Sequence, residues 1–345
     1  MRSYLIKRVL WIFPTLLVIT MASYGMMRLA PGDPVKASFL SGDAAGGEGG
    51  VGVRKAGESA AAREFRRRFH LDQPWYTGYR LWLMGDSERG RGGIIRGDFG
   101  ESIVISLGTP VWTVIAEKLP ATIKLNLWSF AVIYIVSISF GLYSAVFKGS
   151  ATDRFFSTLF FIMYSLPAFW IGLLMIILVS KYIPWWPISG LSQMPFPNES
   201  YWAALGRTVL HYVMPVCCLS YGGFASLSRF TRAAVLETIR QDFVRAARAK
   251  GLSEWAVIFR HVFRNSLIPL ITLAAGLLPG LLGGSMIIEY LFNIPGMGTL
   301  MLQALSSRDY PVLMTVMGLG TFLVLAGILL SDILYAVTDP RITFE

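Results

Sequence analysis

The sequence predicts an all-α membrane protein with six transmembrane helices and a long hydrophilic region after the first. Of its 345 residues, 54% are hydrophobic and 15% are charged, whereas soluble domains carry about 25% charged residues. The charges are segregated from apolar runs that are long enough to cross a bilayer, which takes about 20 residues per helix. The net charge of +10 fits basic cytoplasmic loops and anionic lipid headgroups rather than nucleic acid.

The first predicted span covers residues 9–27. Arg2, Lys7 and Arg8 precede this apolar run, which places the N-terminus in the cytoplasm by the positive-inside rule. The run is about one full span long and no A-x-A cleavage site follows it, which favours an uncleaved span over a signal peptide. Residues 1–29 are therefore predicted to form the N-terminus and the first span.

A long hydrophilic region, residues 30–120, is predicted to lie outside the cytoplasmic membrane. It opens on a turn cluster of Pro and Gly, residues 30–34, which ends the preceding helix. Residues 45–53 are rich in Gly, but their spacing fits no nucleotide-binding loop between a strand and a helix. The region is basic, which would favour the cytoplasm. The positive-inside rule applies to short loops and span ends, however, so the charge of this long region does not exclude an external location.

Five further spans are predicted within a core of residues 121–345. They cover residues 121–147, 155–180, 208–227, 266–292 and 312–337. The short turn after the second span contains Lys148 and Arg154 and is predicted to be cytoplasmic, whereas residues 181–206, rich in Trp and Pro, are predicted to be external. Six spans place both termini in the cytoplasm.

A charged stretch, residues 230–265, separates the fourth and fifth spans. Residues 232–250 contain no Pro or Gly and are rich in good helix formers, which predicts one continuous helix. Gly251 follows Lys250, where a helix end favours a cation and then a residue that tolerates positive φ. Ser253 can cap a second helix. Such an Arg-rich helix pair is also typical of a solvated face or of contact with anionic lipid, and these interpretations stay open here.

This stretch resembles the cytoplasmic coupling motif of ATP-binding-cassette importer permeases. Two Ala residues precede Gly251 in the run RAARAKG, which begins at Arg245, and Pro269 follows later. Arg245 in place of Glu, and the late proline, are typical of the oligopeptide and dipeptide branch. Further motifs of that branch follow in order: Ile288-Glu289-Tyr290-Leu291-Phe292, Pro295-Gly296-Met297-Gly298, Arg308-Asp309-Tyr310-Pro311 and Asp339-Pro340-Arg341-Ile342.

The resemblance implies a type I importer permease fold and a transport subunit rather than an enzyme. It implies a bacterial inner membrane, a second related permease in a heterodimer, two ATPase subunits and an external solute-binding protein. No Walker A motif is present, so ATP and Mg are expected on the ATPase subunits and no cofactor on this chain. The residues expected to couple to the ATPase, with both alanines allowing its close approach, are Arg245, Ala246, Ala247, Lys250, Gly251, His261 and Arg264.

The substrate class also follows from the resemblance. The Gly-rich insert at residues 44–49 and the ending at residues 339–345 look like the subgroup that imports oligopeptides and peptide-like antibiotics of the microcin C type. We therefore expect a peptide or a peptide-like compound. The binding protein makes most of the selection in this family, so no substrate-binding residue is assigned.

The fifth predicted span carries Gly276, Gly280 and Gly284 at four-residue spacing. On a helix, this spacing places three bare backbone patches on one face, where another helix or a translocation path can approach closely. Glu289 lies at the outer end of the span. A carboxylate within a bilayer costs about 3 kcal/mol, so Glu289 is expected to face protein or water rather than lipid.

Two other classes of membrane protein fit the sequence less well. An intramembrane enzyme needs a metal site or a nucleophile–base pair, but His70, His211 and His261 have no such spacing and the adjacent Cys217 and Cys218 are typical of packing residues. No metal is therefore expected. An ion-coupled secondary transporter often shows inverted repeats and midplane carboxylates, whereas here the acidic residues lie at span ends. The importer permease is favoured over both.

Overall fold

The computed structural model describes residues 2–29, 66, 72–86, 92–190, 200–267, 270, 273, 280–281 and 284–338. Several sequence features lie outside the described residues, among them the Gly-rich insert, Pro269, Gly276 and the motif at residues 339–342. The helices are α1 (Arg2–Leu29), α2 (Trp75–Met84), α3 (Val111–Val146), α4 (Ala151–Ser165), α5 (Ala168–Tyr182), α6 (Tyr201–Ile239), α7 (Asp242–Ala249), α8 (Glu254–Ala256), a π-helix (Val257–Phe263), α9 (Arg264–Ser266), α10 (Met286–Leu291), α11 (Met297–Ser307) and α12 (Tyr310–Thr338).

Four helices in the described part of the chain are long and apolar enough to cross a membrane. They contain Ile6–Leu29, Val111–Val146, Tyr201–Ile239 and Tyr310–Leu330, and they include the predicted first, second, fourth and sixth spans. Helix α3 has 36 residues, which is about 54 Å at 1.5 Å per residue, so it extends well beyond a hydrocarbon core of about 30 Å. The protein is thus an all-α membrane protein, as the sequence predicts.

The third predicted span is wrong as a single helix, because it is broken at Pro167. Helices α4 and α5 meet at an angle of 99°. Proline forces the residue before it out of the helical region, and Leu166 is extended, with φ −93° and ψ 135°. The hydroxyl of Tyr221 on α6 donates a hydrogen bond to the carbonyl of Leu166 at 2.6 Å, which satisfies a backbone group that the break leaves without a helical partner.

The fifth predicted span is interrupted as well. Gly284 has φ +65°, and Ser285 is extended before α10 begins at Met286. A helix cannot pass through this conformation, so the prediction of a continuous helix to residue 292 is wrong at Gly284. Most of the preceding residues of this span lie outside the described part of the chain.

The chain divides into two compact units. One unit comprises residues 121–296 together with residues from 326 onward. It contains the charged stretch of residues 230–265, which we call the coupling stretch. The other comprises residues 2–120 and 297–325. In this second unit, α2 packs against α1, where the hydroxyls of Tyr79 and Thr20 lie 2.9 Å apart.

Candidate coupling site

Helix α6 continues from the predicted fourth span to Ile239, and two residues separate it from the start of α7. The predicted continuous helix over residues 232–250 is therefore wrong, because Gln241 is extended, with φ −75° and ψ 152°. Val235 on α6 is fully buried. A continued helix would place Asp242 and Arg245, seven and ten residues later, on the same buried face. The break avoids burial of these two charged side chains and turns the apolar side of α7 inward instead.

The inward side of α7 belongs to a cluster of buried apolar residues, which we call the coupling cluster. Its members are Leu142, Ala145, Val235, Val244, Ala247, Val257 and Val262. They come from α3, α6, α7 and the π-helix, so α7 shares one apolar cluster with two of the long helices. Val257 and Val262 are both fully buried although they are five residues apart. The i→i+5 hydrogen bonding of a π-helix brings residues at this spacing into register.

The turn after α7 has the predicted form of helix, glycine turn and helix. Gly251 has φ +78°, and an added Cβ atom would meet nothing within 4 Å. The positive φ, rather than crowding, therefore accounts for glycine at this position. Ser253 caps α8 by accepting a hydrogen bond from the backbone N–H of Ala256 at 3.4 Å.

An ion pair that the sequence analysis missed closes the same turn. The guanidinium of Arg248 donates two hydrogen bonds to the carboxylate of Glu254, at 2.8 and 3.2 Å. This forked arrangement is the stronger geometry for an Arg–carboxylate pair. Both side chains are exposed, so the pair orients the turn more than it stabilises the fold.

The predicted coupling residues do not share one face. Arg245, Ala246, Lys250 and Arg264 are exposed, and His261 is half-buried. Ala247, however, is 6% exposed and belongs to the coupling cluster. The expectation that both alanines allow close approach of an ATPase subunit is therefore not supported at Ala247, which packs within this chain.

Four apolar side chains of residues 243–259 are exposed, and we call them together the aromatic patch: Phe243, Leu252, Trp255 and Phe259. Trp255 is 73% exposed, and its ring stacks on that of Phe259 with centroids 5.0 Å apart and planes at 9°. Exposed aromatic groups beside arginine are typical of the residues that dominate protein interfaces. The four-residue spacing of Trp255 and Phe259 is the sequence signal that could have found them.

The predicted glycine face of the fifth span is not supported as a helical surface. Gly284 is outside any helix, and Gly276 lies outside the described residues. At Gly280 an added Cβ atom would lie 2.9 Å from Cζ of Phe130 on α3. The carbonyl of Gly280 accepts a hydrogen bond from Nδ2 of Asn126 at 2.7 Å. Gly280 thus permits close contact with α3 of the same chain.

Glu289 is fully buried in protein, as expected for a carboxylate at this position. The hydroxyl of Thr122 on α3 donates a hydrogen bond to its Oε1 atom at 2.9 Å. The backbone of Gly296 lies so close that an added Cβ atom would be 2.5 Å from Oε2. Two residues of the quoted motifs, Glu289 and Gly296, are therefore explained by one buried contact.

Residues 137–344 match the family described as the binding-protein-dependent transport system inner membrane component. The chain belongs to this family. The match includes the whole of residues 230–265 and the helices α4 to α12. The chain is therefore a multi-pass subunit of a bacterial inner-membrane ABC transporter and a transport component rather than an enzyme.

The relatives of this permease are similar to it over its whole length. It is 36% identical to the oligopeptide transport system permease protein AppB of Bacillus subtilis, with 100% of both chains covered. It is 34% identical to the inner membrane ABC transporter permease protein YejB of Escherichia coli O157:H7, again with both chains fully covered. It is 32% identical to the di/tripeptide transport system permease protein DppB of Pseudomonas aeruginosa, with the same coverage.

Proposed function

We propose that this permease carries peptides or peptide-like compounds into the bacterial cytoplasm, driven by ATP that partner subunits hydrolyse. The proposed substrate class is based on the full-length similarity to relatives named for oligopeptide and di/tripeptide transport. Within this class, import of peptide-like antibiotics of the microcin C type is the narrower proposal, based on the resemblance of the insert and the ending.

The proposed assembly contains a second related permease, two ATPase subunits and an external solute-binding protein. The family's description, which names dependence on a binding protein, supports the last of these. ATP and Mg are proposed to bind the ATPase subunits. We propose that both termini and residues 230–265 are cytoplasmic and that residues 30–120 are external, which the basic residues around α7 support.

The coupling role is proposed for α7, the turn at Gly251 and the aromatic patch. The outer side of this segment carries Arg245, Lys250 and exposed aromatic rings, which can bind a groove on an ATPase subunit. Its inner side belongs to the coupling cluster, which also contains residues of the π-helix, α3 and α6. A push on the outer side is therefore transmitted by close-packed side chains to two long helices.

Uptake by the reconstituted complex tests this function. The permease, its partner permease, the ATPase subunits and the cognate binding protein are placed in proteoliposomes, and uptake of a labelled oligopeptide is measured. We expect uptake with ATP and none with a non-hydrolysable ATP analogue. Binding of the same peptide to the purified binding protein is measured in parallel. A binding protein that binds only oligosaccharides or nickel complexes would refute the proposed substrate class.

A further inference from the structure

Asp153 is a buried carboxylate to which the proposed function assigns no role. It lies in the first turn of α4 and is 3% exposed. Its Oδ1 atom accepts a hydrogen bond from the hydroxyl of Ser144 on α3. Its Oδ2 atom accepts hydrogen bonds from the backbone N–H of Gly149 at 2.9 Å and from Nη2 of Arg232 on α6 at 3.0 Å. One side chain thus contacts α3, α6 and the turn that joins α3 to α4.

The backbone of α4 does not by itself determine where this helix lies. At one end the chain turns at Gly149, which has φ +84°. At the other end lies the 99° bend at Pro167. The orientation of α4 therefore depends on side-chain contacts, and the ion pair between Asp153 and Arg232 is a directional contact from α4 to α6.

Helices α3 and α6 touch closely beside this ion pair. An added Cβ atom on Gly141 would lie 2.6 Å from Cβ of Thr231 and 2.7 Å from the carbonyl oxygen of Ser228. Such distances leave no room for a side chain, so the two backbones approach as closely as glycine allows. Gly141 is three residues before Ser144, and Thr231 directly precedes Arg232.

The same region of α3 and α6 carries the coupling cluster. Leu142 and Ala145 on α3 flank Ser144 in sequence, and Val235 on α6 is one turn after Arg232. Helix α7 therefore shares an apolar cluster with α3 and α6 close to the point where Asp153 joins them to α4. The ion pair, in which Asp153 is buried and Arg232 is partly exposed, and the apolar cluster together link four helices.

We propose that Asp153 is a positioning residue for ATP coupling, which joins the ends of α3, α4 and α6 into one body that α7 moves. The proposal rests on the proposed coupling role of α7. In this view, the ion pair between Asp153 and Arg232 is the contact through which the start of α4 follows α6 and α7, whereas the hydrogen bond from Tyr221 to Leu166 holds the far end of α4. Loss of the ion pair leaves α7 bound to the ATPase but loosens the start of α4 from the movement.

The test uses the complete complex with Asp153→Asn or Arg232→Gln. We expect basal ATP hydrolysis to be retained, whereas stimulation by the loaded binding protein falls at least about fivefold, the lower end of typical coupling between sites. The double variant is expected to lose no more than either single variant, because the two side chains act as one contact. The matched controls are Glu237→Gln and Arg154→Gln, which remove exposed charges from α6 and α4 and should behave as wild type.

A merely structural role would lower the amount of assembled complex and leave stimulation per complex unchanged, and that result would overturn the proposal. Normal stimulation in Asp153→Asn would overturn it as well. A wild-type complex without any stimulation would instead refute the proposed function.

If the variants fail to assemble, a distance measurement tests whether α4 and α6 move together. Spin labels are attached at Arg154→Cys and Glu237→Cys, after Cys217 and Cys218 are replaced by Ser. The distance between the labels is expected to be the same in the ATP-free and the ATP-trapped complex, because α4 and α6 move together. A distance that changes between the two states would overturn the proposal.

Discussion

The Oδ2 atom of Asp309 accepts a hydrogen bond from the hydroxyl of Ser102 at 2.5 Å, although the two residues are 207 positions apart. The same Oδ2 atom accepts hydrogen bonds from the backbone N–H groups of Ile103, Val104 and Ile105, at 3.1, 3.0 and 3.1 Å. Asp309 is fully buried and directly precedes α12. One carboxylate thus binds the predicted external loop to the first turn of the last helix.

Removal of this carboxylate is predicted to destabilise the protein. Asp309→Ala leaves several buried donors without an acceptor, at about 1–3 kcal/mol each, and we expect a clearly lower Tm of the purified permease in detergent. Ser102→Ala removes one donor only and should cost about 1 kcal/mol. The control is Asp72→Asn, which alters an exposed aspartate of the same unit. An unchanged Tm for Asp309→Ala would contradict the prediction.

Gly251 is predicted to be sensitive to substitution through its backbone conformation. At φ +78°, Ala costs about 1 kcal/mol, and a β-branched residue costs more. We expect the complex with Gly251→Val to bind the loaded binding protein without accelerating ATP hydrolysis. Gly206→Ala is the control, since this glycine is in a helix and has open space around it. Normal stimulated hydrolysis and uptake with Gly251→Val would show that the turn is not the coupling joint.

Trp255 is predicted to anchor the ATPase subunit. Trp255→Ala removes an exposed stacked ring, and truncation of such an interface aromatic typically costs 2 kcal/mol or more, about a 30-fold loss of affinity. We expect the variant permease to insert in the membrane but to lose co-purification with the ATPase subunits. The matched control is Trp202→Ala, which removes a tryptophan that is 76% exposed in the first turn of α6. Equal recovery of ATPase with both variants would count against the docking site.

Gly280 is predicted to require the absence of a side chain because of Phe130. Gly280→Leu would force the phenyl ring of Phe130 away from its place on α3 and should lower both assembly and uptake. The double variant Gly280→Leu with Phe130→Ala is expected to recover part of the loss, because the smaller side chain on α3 restores space at the contact. A Gly280→Leu permease that assembles and transports normally would exclude this close contact.

The proposed topology is predicted to appear in cysteine labelling. In a background without Cys217 and Cys218, Ser59→Cys should react with a membrane-impermeant maleimide in intact spheroplasts, because residues 30–120 are expected to be external. Trp255→Cys should react only after lysis. Labelling of Ser59→Cys only after lysis would reverse the proposed orientation.

The positions of the long helices could be predicted from the sequence, because the length and hydropathy of an apolar run are local properties. The glycine turn was also predictable: positive φ at Gly251 and the cap by Ser253 depend on neighbouring residues alone. The cost of a carboxylate in lipid predicted that Glu289 faces protein or water, and the structure buries it in protein.

Only the tertiary structure decided which side chains meet. Ala246 and Ala247 are adjacent and chemically identical, yet one is exposed and the other is buried, because the break at Gln241 rotates α7 relative to α6. Asp153 and Arg232 are 79 residues apart, and Ser102 and Asp309 are 207 apart. No periodicity relates such positions, since contacts between distant residues arise when helices pack, and the partner of a buried charge is then whichever group the packing brings within hydrogen-bond distance.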